Sequence, residues 1–342
     1  MNTWMVQADL PSKKRHTSRR ILLSGVTFLV LAAVAFTLLS PIPVSLVIRA
    51  AFHKKIAVAP EHYDEMKSHV DVLKNLCYPS DYSDNVADIY IPKDTAGPFP
   101  VVLWIHGGAF VGGSKDDVEI YATSLASEGI AVVCMNYRRA PKAKYPVPVI
   151  QTQDAYLWMM DISDKYSFDL NRFVLAGDSA GAHIAAQFAA IQSNAAYADE
   201  MDFEQIVPLH TLKAVLLFCG PFDVSKLDKS RNSTMNFLIG RAAWAYFGTK
   251  DWAGQFSYQA TISHHITEFF PPAFITDGNQ LSFEEHGRAL ADVLKNSNVS
   301  VETYFISMDT EIAGHEYQFI MNTPAGIESF HQVVRFLKKH TG

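Results

Sequence analysis

The sequence predicts an α/β fold, with a mostly parallel central sheet covered by helices on both faces and a separate apolar helix at the N-terminus. Two observations support this fold class: short apolar runs alternate with helical segments through most of the 342 residues, and one long uncharged run precedes them. A hydrophobic content of 49% excludes a disordered chain and is sufficient for a large core. A formal net charge of −6 argues against a nucleic-acid partner.

The uncharged run covers residues 21–40 and reads ILLSGVTFLVLAAVAFTLLS. Twenty helical residues span about 30 Å, the thickness of a bilayer's hydrocarbon core. Lysines and arginines precede the run, and such residues stay on the cytoplasmic side. We therefore expect a basic cytoplasmic N-terminus (1–20), a single transmembrane anchor (21–43) in the cell membrane, and an extracytoplasmic remainder. A cleaved signal peptide is the alternative, but its apolar region has about 7–15 residues and SPIP at 40–43 is a poor cleavage site.

One domain is expected to follow the anchor. Residues 44–84 are predicted as a linker and the start of this domain, and VSLVIRAAFHKKIA at 44–57 is expected to pack on it. Within residues 85–342, short apolar runs bounded by turn residues are typical of parallel strands buried on both faces. The predicted strands are Asn85–Pro92, Pro100–Ile105, Gly129–Tyr137, Arg172–Ala176, Leu212–Cys219, Pro272–Thr276 and Val299–Ile306.

Helical segments lie between these strands. The predicted helices are Val118–Glu128, Val149–Lys165, Ala180–Ser193, Phe283–Ser297 and Pro324–His340. The stretch 223–270 is less regular and rich in aromatic residues. It either packs on the main core or forms a cap over a site, with its rings lining an apolar pocket. Ligands of such sheets bind at the carboxyl ends of the strands, so we expect the catalytic and binding residues there.

The sequence Gly177-Asp178-Ser179-Ala180-Gly181 follows one predicted strand and opens a predicted helix. A serine on such a sharp turn exposes its hydroxyl at the edge of the sheet, which is typical of a nucleophile. The free N–H of Ala180 lies at the N-terminus of the helix, where it can stabilise an oxyanion. The pattern G-x-S-x-G therefore predicts Ser179 as a catalytic nucleophile.

A second glycine motif, His106-Gly107-Gly108-Ala109-Phe110, directly follows another predicted strand. Two adjacent glycines at the end of a strand can turn their N–H groups toward one point. Gly107 and Gly108 are therefore predicted as oxyanion donors together with Ala180. His106 is expected to order this loop by hydrogen bonding.

The general base must come from thirteen histidines. His315 lies on a loop after the last predicted strand and before the last helix, as the chain order nucleophile, acid, histidine requires. His183 lies on the helix after Ser179 and is expected to pack, and the pair His264 and His265 has too few ligands for a metal site. His315 is the predicted base.

These motifs together resemble the hormone-sensitive-lipase-like esterases of the α/β-hydrolase superfamily. The resemblance covers roughly residues 85–340 and rests on four motifs in order: HGGAF, NYRRAP at 136–141, GDSAG, and GHEYQF at 314–319. It implies an α/β-hydrolase fold and serine-dependent hydrolysis of carboxylic esters through an acyl-enzyme, without a metal or an organic cofactor. It also implies that Asp178, which precedes the nucleophile, is structural.

The acid of the expected triad departs from the family pattern. The family carries an aspartate in a G-x-D-P-L type sequence, and the corresponding position here holds Gln280. Asp277 ends the preceding strand and is the predicted acid, because a carboxylate there can orient the imidazole and stabilise its cation. Asp223 is the principal alternative, and Glu284 and Asp309 are weaker ones.

The predicted substrate is a small-molecule ester with a small or medium acyl group. Three alternatives use the same fold. The first is amide or formamide hydrolysis, because kynurenine-formamidase-like proteins share the HGG and G-x-S-x-G motifs. The second is deacetylation of surface polysaccharide, and the third is a non-catalytic ligand-binding module.

Overall fold

The central sheet has eight strands in the order β1-β2-β4-β3-β5-β6-β7-β8. The computed structural model describes residues 13–51, 57–229 and 232–342. β2 runs antiparallel to its neighbours β1 and β4, and the remaining neighbours are parallel. The strands are β1 (Val70–Cys77), β2 (Val86–Pro92), β3 (Phe99–Ile105), β4 (Ala131–Met135), β5 (Phe168–Asp178), β6 (Leu212–Phe218), β7 (Ala273–Asp277) and β8 (Val301–Phe305).

All seven predicted strands are present, and the sheet begins earlier than predicted, with β1. This edge strand reads VDVLKNLC, and only its first residue is buried, so it has no apolar run that a sequence pattern could detect. Its register against β2 shifts between Leu73 and Leu76, where Asn75 has a φ of 59°. Such a bulge also breaks the alternation expected of a strand. Part of the segment 44–84 therefore belongs to the sheet itself.

Helices cover both faces of the sheet, as predicted. Val101, Leu103 and Ile105 of β3 pack in one core cluster, and Val102 and Trp104 pack in the other. Because successive side chains of a strand point to opposite faces, the two clusters lie on the two sides of the sheet. The helices of the domain are α3 (Tyr63–Ser68), α4 (Glu119–Ser127), α5 (Val147–Tyr166), α6 (Ala180–Ser193), α7 (Ala195–Met201), α8 (Ser233–Phe247), α9 (Trp252–Ala260), α10 (Glu284–Asn296) and α11 (Pro324–Thr341).

The stretch 223–270 contains α8 and α9, and several of its aromatic rings pack on the main core. Tyr246, Phe247 and Trp252 are buried members of the larger core cluster. The ring of Tyr246 also stacks on Phe110, with 3.9 Å between the centroids. The excursion therefore supports the loop that carries the HGGAF motif.

The N-terminal helix α1 (Lys13–Leu39) contains an apolar segment, Ile21–Leu39, that is long enough to cross a membrane. No part of that segment is buried against the rest of the chain. The helix ends at Leu39, four residues before the C-terminal bound of the predicted anchor (21–43). Pro41 explains the end, because the residue before a proline is disfavoured in a helix.

The next helix, α2 (Ile42–Ala51), packs on the domain, as expected for its segment; residues 52–56 of that segment lie outside the described residues. Val44, Ser45 and Ile48 are buried. The guanidinium of Arg49 donates from Nε to the carbonyl of Val111 (2.7 Å) and from Nη2 to the carbonyl of Ala140 (2.8 Å). The chain just after the apolar helix therefore holds the loop that follows the HGGAF motif.

We predict that Arg49→Ala lowers the free energy of unfolding by about 1–3 kcal/mol, because it removes the donor of two partly buried carbonyls. Arg335→Ala serves as the matched control. Arg335 is exposed and pairs only with Glu328 among the residues described, so its loss should cost less than about 1 kcal/mol. Denaturant unfolding of the full chain in detergent measures both values, and equal losses would contradict the role of Arg49.

Candidate active site

The predicted nucleophile, Ser179, lies on a sharp turn between β5 and α6. Ser179 has φ 50° and ψ −118°, a strained conformation for a residue with a side chain. A Cβ on Gly181 would lie 2.0 Å from the carbonyl oxygen of Ile105, and one on Gly177 would lie 2.4 Å from the backbone of Gly181. Both positions therefore require glycine, which explains the G-x-S-x-G spacing.

His315 reaches the nucleophile from the loop between β8 and α11. Its Nε2 lies 2.9 Å from the Oγ of Ser179. Desolvation lowers the pKa of His315 to about 4, so the imidazole is neutral at pH 7. A neutral imidazole with its proton on Nδ1 can accept the hydroxyl proton at Nε2. The predicted pair of Ser179 and His315 is thus brought together.

The carboxylate of Asp277 reaches His315 through another side chain. Nδ1 of His315 lies 2.8 Å from the Oγ of Ser282, and that hydroxyl donates to Oδ1 of Asp277. Asp277 ends β7, as predicted, and its Oδ1 also accepts the N–H of Gly278 (2.7 Å). Ser282 was missed from the sequence. The available signal was the absence of a carboxylate at Gln280, two residues before a hydroxyl in the same loop.

Asp277 is almost completely buried, with 1% of its surface exposed. Its Oδ2 has no hydrogen-bond partner among the described residues. Burial raises the pKa of Asp277 to about 7, and hydrogen bonds from Ser282 and Gly278 oppose this increase. The carboxyl group therefore titrates near neutral pH.

The alternative acids bond elsewhere in the described residues. Asp223 accepts from Ser225 and pairs with Lys226 at 2.8 Å. Glu284 pairs with Arg288 at 2.7 Å, within one turn of α10. Asp309 is exposed in the loop after β8. Asp223, Glu284 and Asp309 are therefore excluded as direct partners of His315.

The prediction that Gly107 is an oxyanion donor is wrong, because its N–H is already used. It donates to Oδ2 of Asp178 over 2.7 Å. The following residues Gly108, Ala109 and Phe110 all have positive φ angles, of 113°, 52° and 62°, so the chain turns sharply after Gly107. Among the described residues, no protein acceptor is found for the N–H groups of Gly108, Ala109 and Ala180. Ala109 thus joins Gly108 and Ala180 as a candidate donor.

Asp178 is structural, as the family resemblance implies. Besides Gly107, it accepts the indole N–H of Trp104 at 2.8 Å. The carboxyl group of Glu316 lies beside it, and its Oε1 is 3.9 Å from Nε2 of His315. Burial raises the pKa of Asp178 to about 6 and that of Glu316 well above its usual value. Two buried carboxyl groups in contact hold a shared proton more readily than two charges.

Four of the other histidines in the described part of the chain have structural partners. His106 stacks on Tyr137 with 4.4 Å between the rings, and its Nδ1 lies 2.6 Å from the carbonyl oxygen of Gly107, so it orders the loop as expected. Nε2 of His183 lies 2.8 Å from the carbonyl of Ala260. His264 and His265 both contact the carbonyl of Tyr258. These four histidines thus bond away from Ser179, whereas Nε2 of His315 contacts its hydroxyl.

One group of side chains in the described part of the chain has the composition of a metal site. Ligand atoms of Cys219, Asp277 and His315 lie within 4.8 Å of one another. Both ring nitrogens of His315 already face hydroxyl groups, those of Ser179 and Ser282. The group is therefore better described as a hydrogen-bonded cluster than as a set of metal ligands.

The sheet order, the turn at Ser179 and the histidine after the last strand define an α/β-hydrolase. Solved structures agree on the fold: esterase B from Lactobacillus rhamnosis has a TM-score of 0.72 at 22% identity, covering 90% of this chain and 96% of that one. A bacterial heroin esterase has a TM-score of 0.65 at 22% identity, covering 81% and 86%. The BD-FAE family model matches residues 87–283, and the chain belongs to this family.

Curated relatives cover shorter parts of the chain. The isoprenylcysteine alpha-carbonyl methylesterase ICME of Arabidopsis thaliana is 33% identical over 115 residues, which are 34% of this chain and 27% of that protein. Esterase LipC of Mycobacterium tuberculosis is 25% identical over 266 residues, 75% of this chain and 64% of that protein. The chain thus matches about a quarter of the length of the plant methylesterases. The family match and the esterase structures confirm the resemblance to hormone-sensitive-lipase-like α/β-hydrolases.

We predict that the protonated carboxyl of Asp277 contributes stability at low pH that is lost as pH rises from about 4 to 7, so Asp277→Asn changes the pH dependence of stability in that range. In that range the folded chain keeps the proton on Asp277 while the unfolded chain releases it, because the folded pKa is about 7. A shift of about three pKa units corresponds to about 4 kcal/mol at most. Thermal unfolding at pH 4.5 and 8 measures the difference, and identical pH dependence in the wild type and the variant would contradict it.

Proposed function

We propose that the chain is a serine carboxylic ester hydrolase that acts through an acyl-enzyme on small or medium acyl esters. The observation that carries the proposal is the 2.9 Å contact between Nε2 of His315 and the hydroxyl of Ser179, at the tip of the strained turn. The BD-FAE family match and the esterase names of several relatives support it. The same contact favours catalysis over a non-catalytic binding module.

In the acylation step, Oγ of Ser179 attacks the carbonyl carbon of the ester while Nε2 of His315 takes the hydroxyl proton. The carbonyl oxygen becomes an oxyanion, and the N–H groups of Gly108, Ala109 and Ala180 stabilise it. One such donor contributes about 3 kcal/mol to the transition state. The C–O bond then breaks, and the alcohol leaves with the proton from His315.

In the deacylation step, His315 takes a proton from water as the water attacks the acyl-enzyme. Collapse of the second oxyanion releases the acid and restores the hydroxyl of Ser179. Imidazolium forms in both steps, and the ionised form of Asp277 stabilises it through Ser282. Side chains and backbone groups supply each step, so no cofactor is required.

We predict that Ser179→Ala lowers kcat for p-nitrophenyl butyrate by at least about 10⁴-fold, because it removes the nucleophile. Ser193→Ala is the matched control on the same helix: its hydroxyl bonds the carbonyl of Ala189 at the other end of α6. The control should retain most of the activity. Full activity of Ser179→Ala, or no hydrolysis by the wild type, would contradict the proposal.

A second candidate reaction is formamide hydrolysis. The kynurenine formamidase of Salmo salar is 28% identical over 175 residues, which are 47% of this chain and 54% of that protein. An aryl formamide presents a carbonyl of similar size to the same nucleophile, so the site chemistry is unchanged. Comparing kcat/KM for an aryl formamide and for the acetate ester of the same size separates the two reactions.

We also propose that the segment Ile21–Leu39 anchors the enzyme in a membrane, with the catalytic domain on the extracytoplasmic side. Residues typical of a membrane interface lie beside the end of this helix. The guanidinium of Arg241 donates to the carbonyl of Leu38 (3.4 Å) and lies 5.2 Å from the ring of Trp244. Lys250 contacts the same ring at 4.8 Å. The basic residues before position 21 favour this orientation.

We predict that alkaline carbonate does not extract the full-length chain from membranes, whereas Leu31→Arg increases its release. An arginine at the centre of a span costs about 3 kcal/mol of insertion free energy. Leu46→Arg is the matched control, because Leu46 is exposed on α2, outside the span. Complete extraction of the wild type, or equal release of both variants, would contradict the anchor.

A further inference from the structure

Among the residues that the structure describes, no carboxylate directly contacts Nδ1 of His315. Instead, three groups form a chain: Asp277 accepts from Ser282, and the same hydroxyl oxygen faces Nδ1 of His315 at 2.8 Å. Building on the esterase function proposed above, we infer that Ser282 is a positioning residue that transmits the ionisation state of Asp277 to the tautomer of His315.

Ionised Asp277 fixes the direction of the hydrogen bonds through Ser282. A carboxylate only accepts hydrogen bonds, so the hydroxyl hydrogen of Ser282 must point to Asp277. The oxygen of Ser282 is then left to accept the N–H from Nδ1 of His315. With its single proton on Nδ1, the neutral imidazole has a free lone pair on Nε2, 2.9 Å from the hydroxyl of Ser179. This is the tautomer that a general base requires.

Protonated Asp277 reverses the direction of these hydrogen bonds. One proton from solvent binds the carboxyl group, which then donates to the oxygen of Ser282. The hydroxyl of Ser282 turns its own hydrogen toward Nδ1, and the imidazole carries its single proton on Nε2. No proton is created or lost in this rearrangement beyond the one bound by Asp277. His315 then cannot accept the proton of Ser179, and the nucleophile is inactive.

The surroundings of Asp277 place this change near neutral pH. Asp277 is faced by the N–H of Gly278, the hydroxyl of Ser282 and the thiol of Cys219, and its Oδ2 has no hydrogen-bond partner among the described residues. Burial raises the pKa of Asp277 to about 7, whereas the pKa of His315 is lowered to about 4. Activity is therefore expected to fall as the pH drops through about 7, because Asp277 gains a proton there, whereas His315 does not.

One other charged group faces the imidazole. Oε1 of Glu316 lies 3.9 Å from Nε2 of His315 and belongs to the carboxyl pair with Asp178. The ring of Phe283 covers another side, with 5.6 Å between the centroids. A test of Ser282 must therefore separate the titration of Asp277 from the titration of the pair formed by Asp178 and Glu316. The variant Glu316→Gln serves this purpose, because it removes the ionisable group at 316 and leaves the chain through Ser282 unchanged.

The experiment measures the rate at which a fluorophosphonate labels Ser179 between pH 5 and 9 in the full chain. This rate reports on the nucleophile without a natural substrate. In the wild type it should rise with a midpoint near pH 7. In Ser282→Ala it should fall about 10- to 100-fold at high pH, as expected for a lost hydrogen bond to a charged group, and the midpoint near 7 should disappear.

Three further variants define the role. Asp277→Asn should be slow at every pH, because its amide N–H donates to Ser282 permanently and imitates the protonated acid. Ser282→Thr keeps the hydroxyl and should restore both the rate and the midpoint. Ser307→Ala is the control, since this exposed hydroxyl lies after β8 and bonds only its own turn among the described residues. It should not change either quantity.

The outcomes are distinguishable. No labelling of the wild type would overturn the esterase function and the inference together. Labelling of the wild type with an unchanged rate and midpoint in Ser282→Ala would overturn only the role of Ser282. Loss of the midpoint in Glu316→Gln, but not in Asp277→Asn, would assign the titration to the pair of Asp178 and Glu316. That result would also overturn the role of Ser282. Circular dichroism checks that each variant is folded, and Ser282→Thr keeps the test valid should Ser282→Ala not fold.

Discussion

The site depends on the close contact between the backbone of Gly181 and the carbonyl oxygen of Ile105. No Cβ fits there, because it would lie 2.0 Å from that oxygen. This contact brings the start of α6 against the end of β3, so Ser179 and the loop after Ile105 are neighbours. The strained φ of Ser179 and the free N–H of Ala180 follow from the same turn. Steric exclusion thus places Ser179 beside the N–H groups proposed as oxyanion donors.

Hydrogen bonds between segments that are far apart in the sequence hold the remaining parts of the site in place. Asp178 fixes Gly107 and thereby directs the sharp turn at Gly108 and Ala109. Arg49, on α2 just after the apolar helix, holds the same loop through the carbonyl of Val111. Ser282 connects Asp277 to His315 on the other side of the nucleophile. Buried carboxyl groups therefore perform two separate tasks here, one structural and one directed at the base.

Much of this site could be predicted from the sequence, because local motifs specify it. The turn at Ser179 needs glycines at fixed spacing, and the place of His315 follows from the chain order. Gly107 was assigned wrongly because its N–H bonds a side chain 71 residues further along, which no local pattern indicates. Ser282 was missed for a similar reason: a serine in a loop has no signature until the fold brings it to an imidazole. The exposed strand β1 lacked the apolar run that identified the buried strands.

A crystal structure of the full chain after reaction with a phosphonate ester tests the central claim most directly. The account predicts a bond from phosphorus to Oγ of Ser179. It also predicts a phosphonyl oxygen about 3 Å from the N–H groups of Gly108, Ala109 and Ala180, with Gly107 still bonded to Asp178. Phosphorus on another side chain, or an oxygen held by Gly107 and directed away from Ala180, would contradict the account.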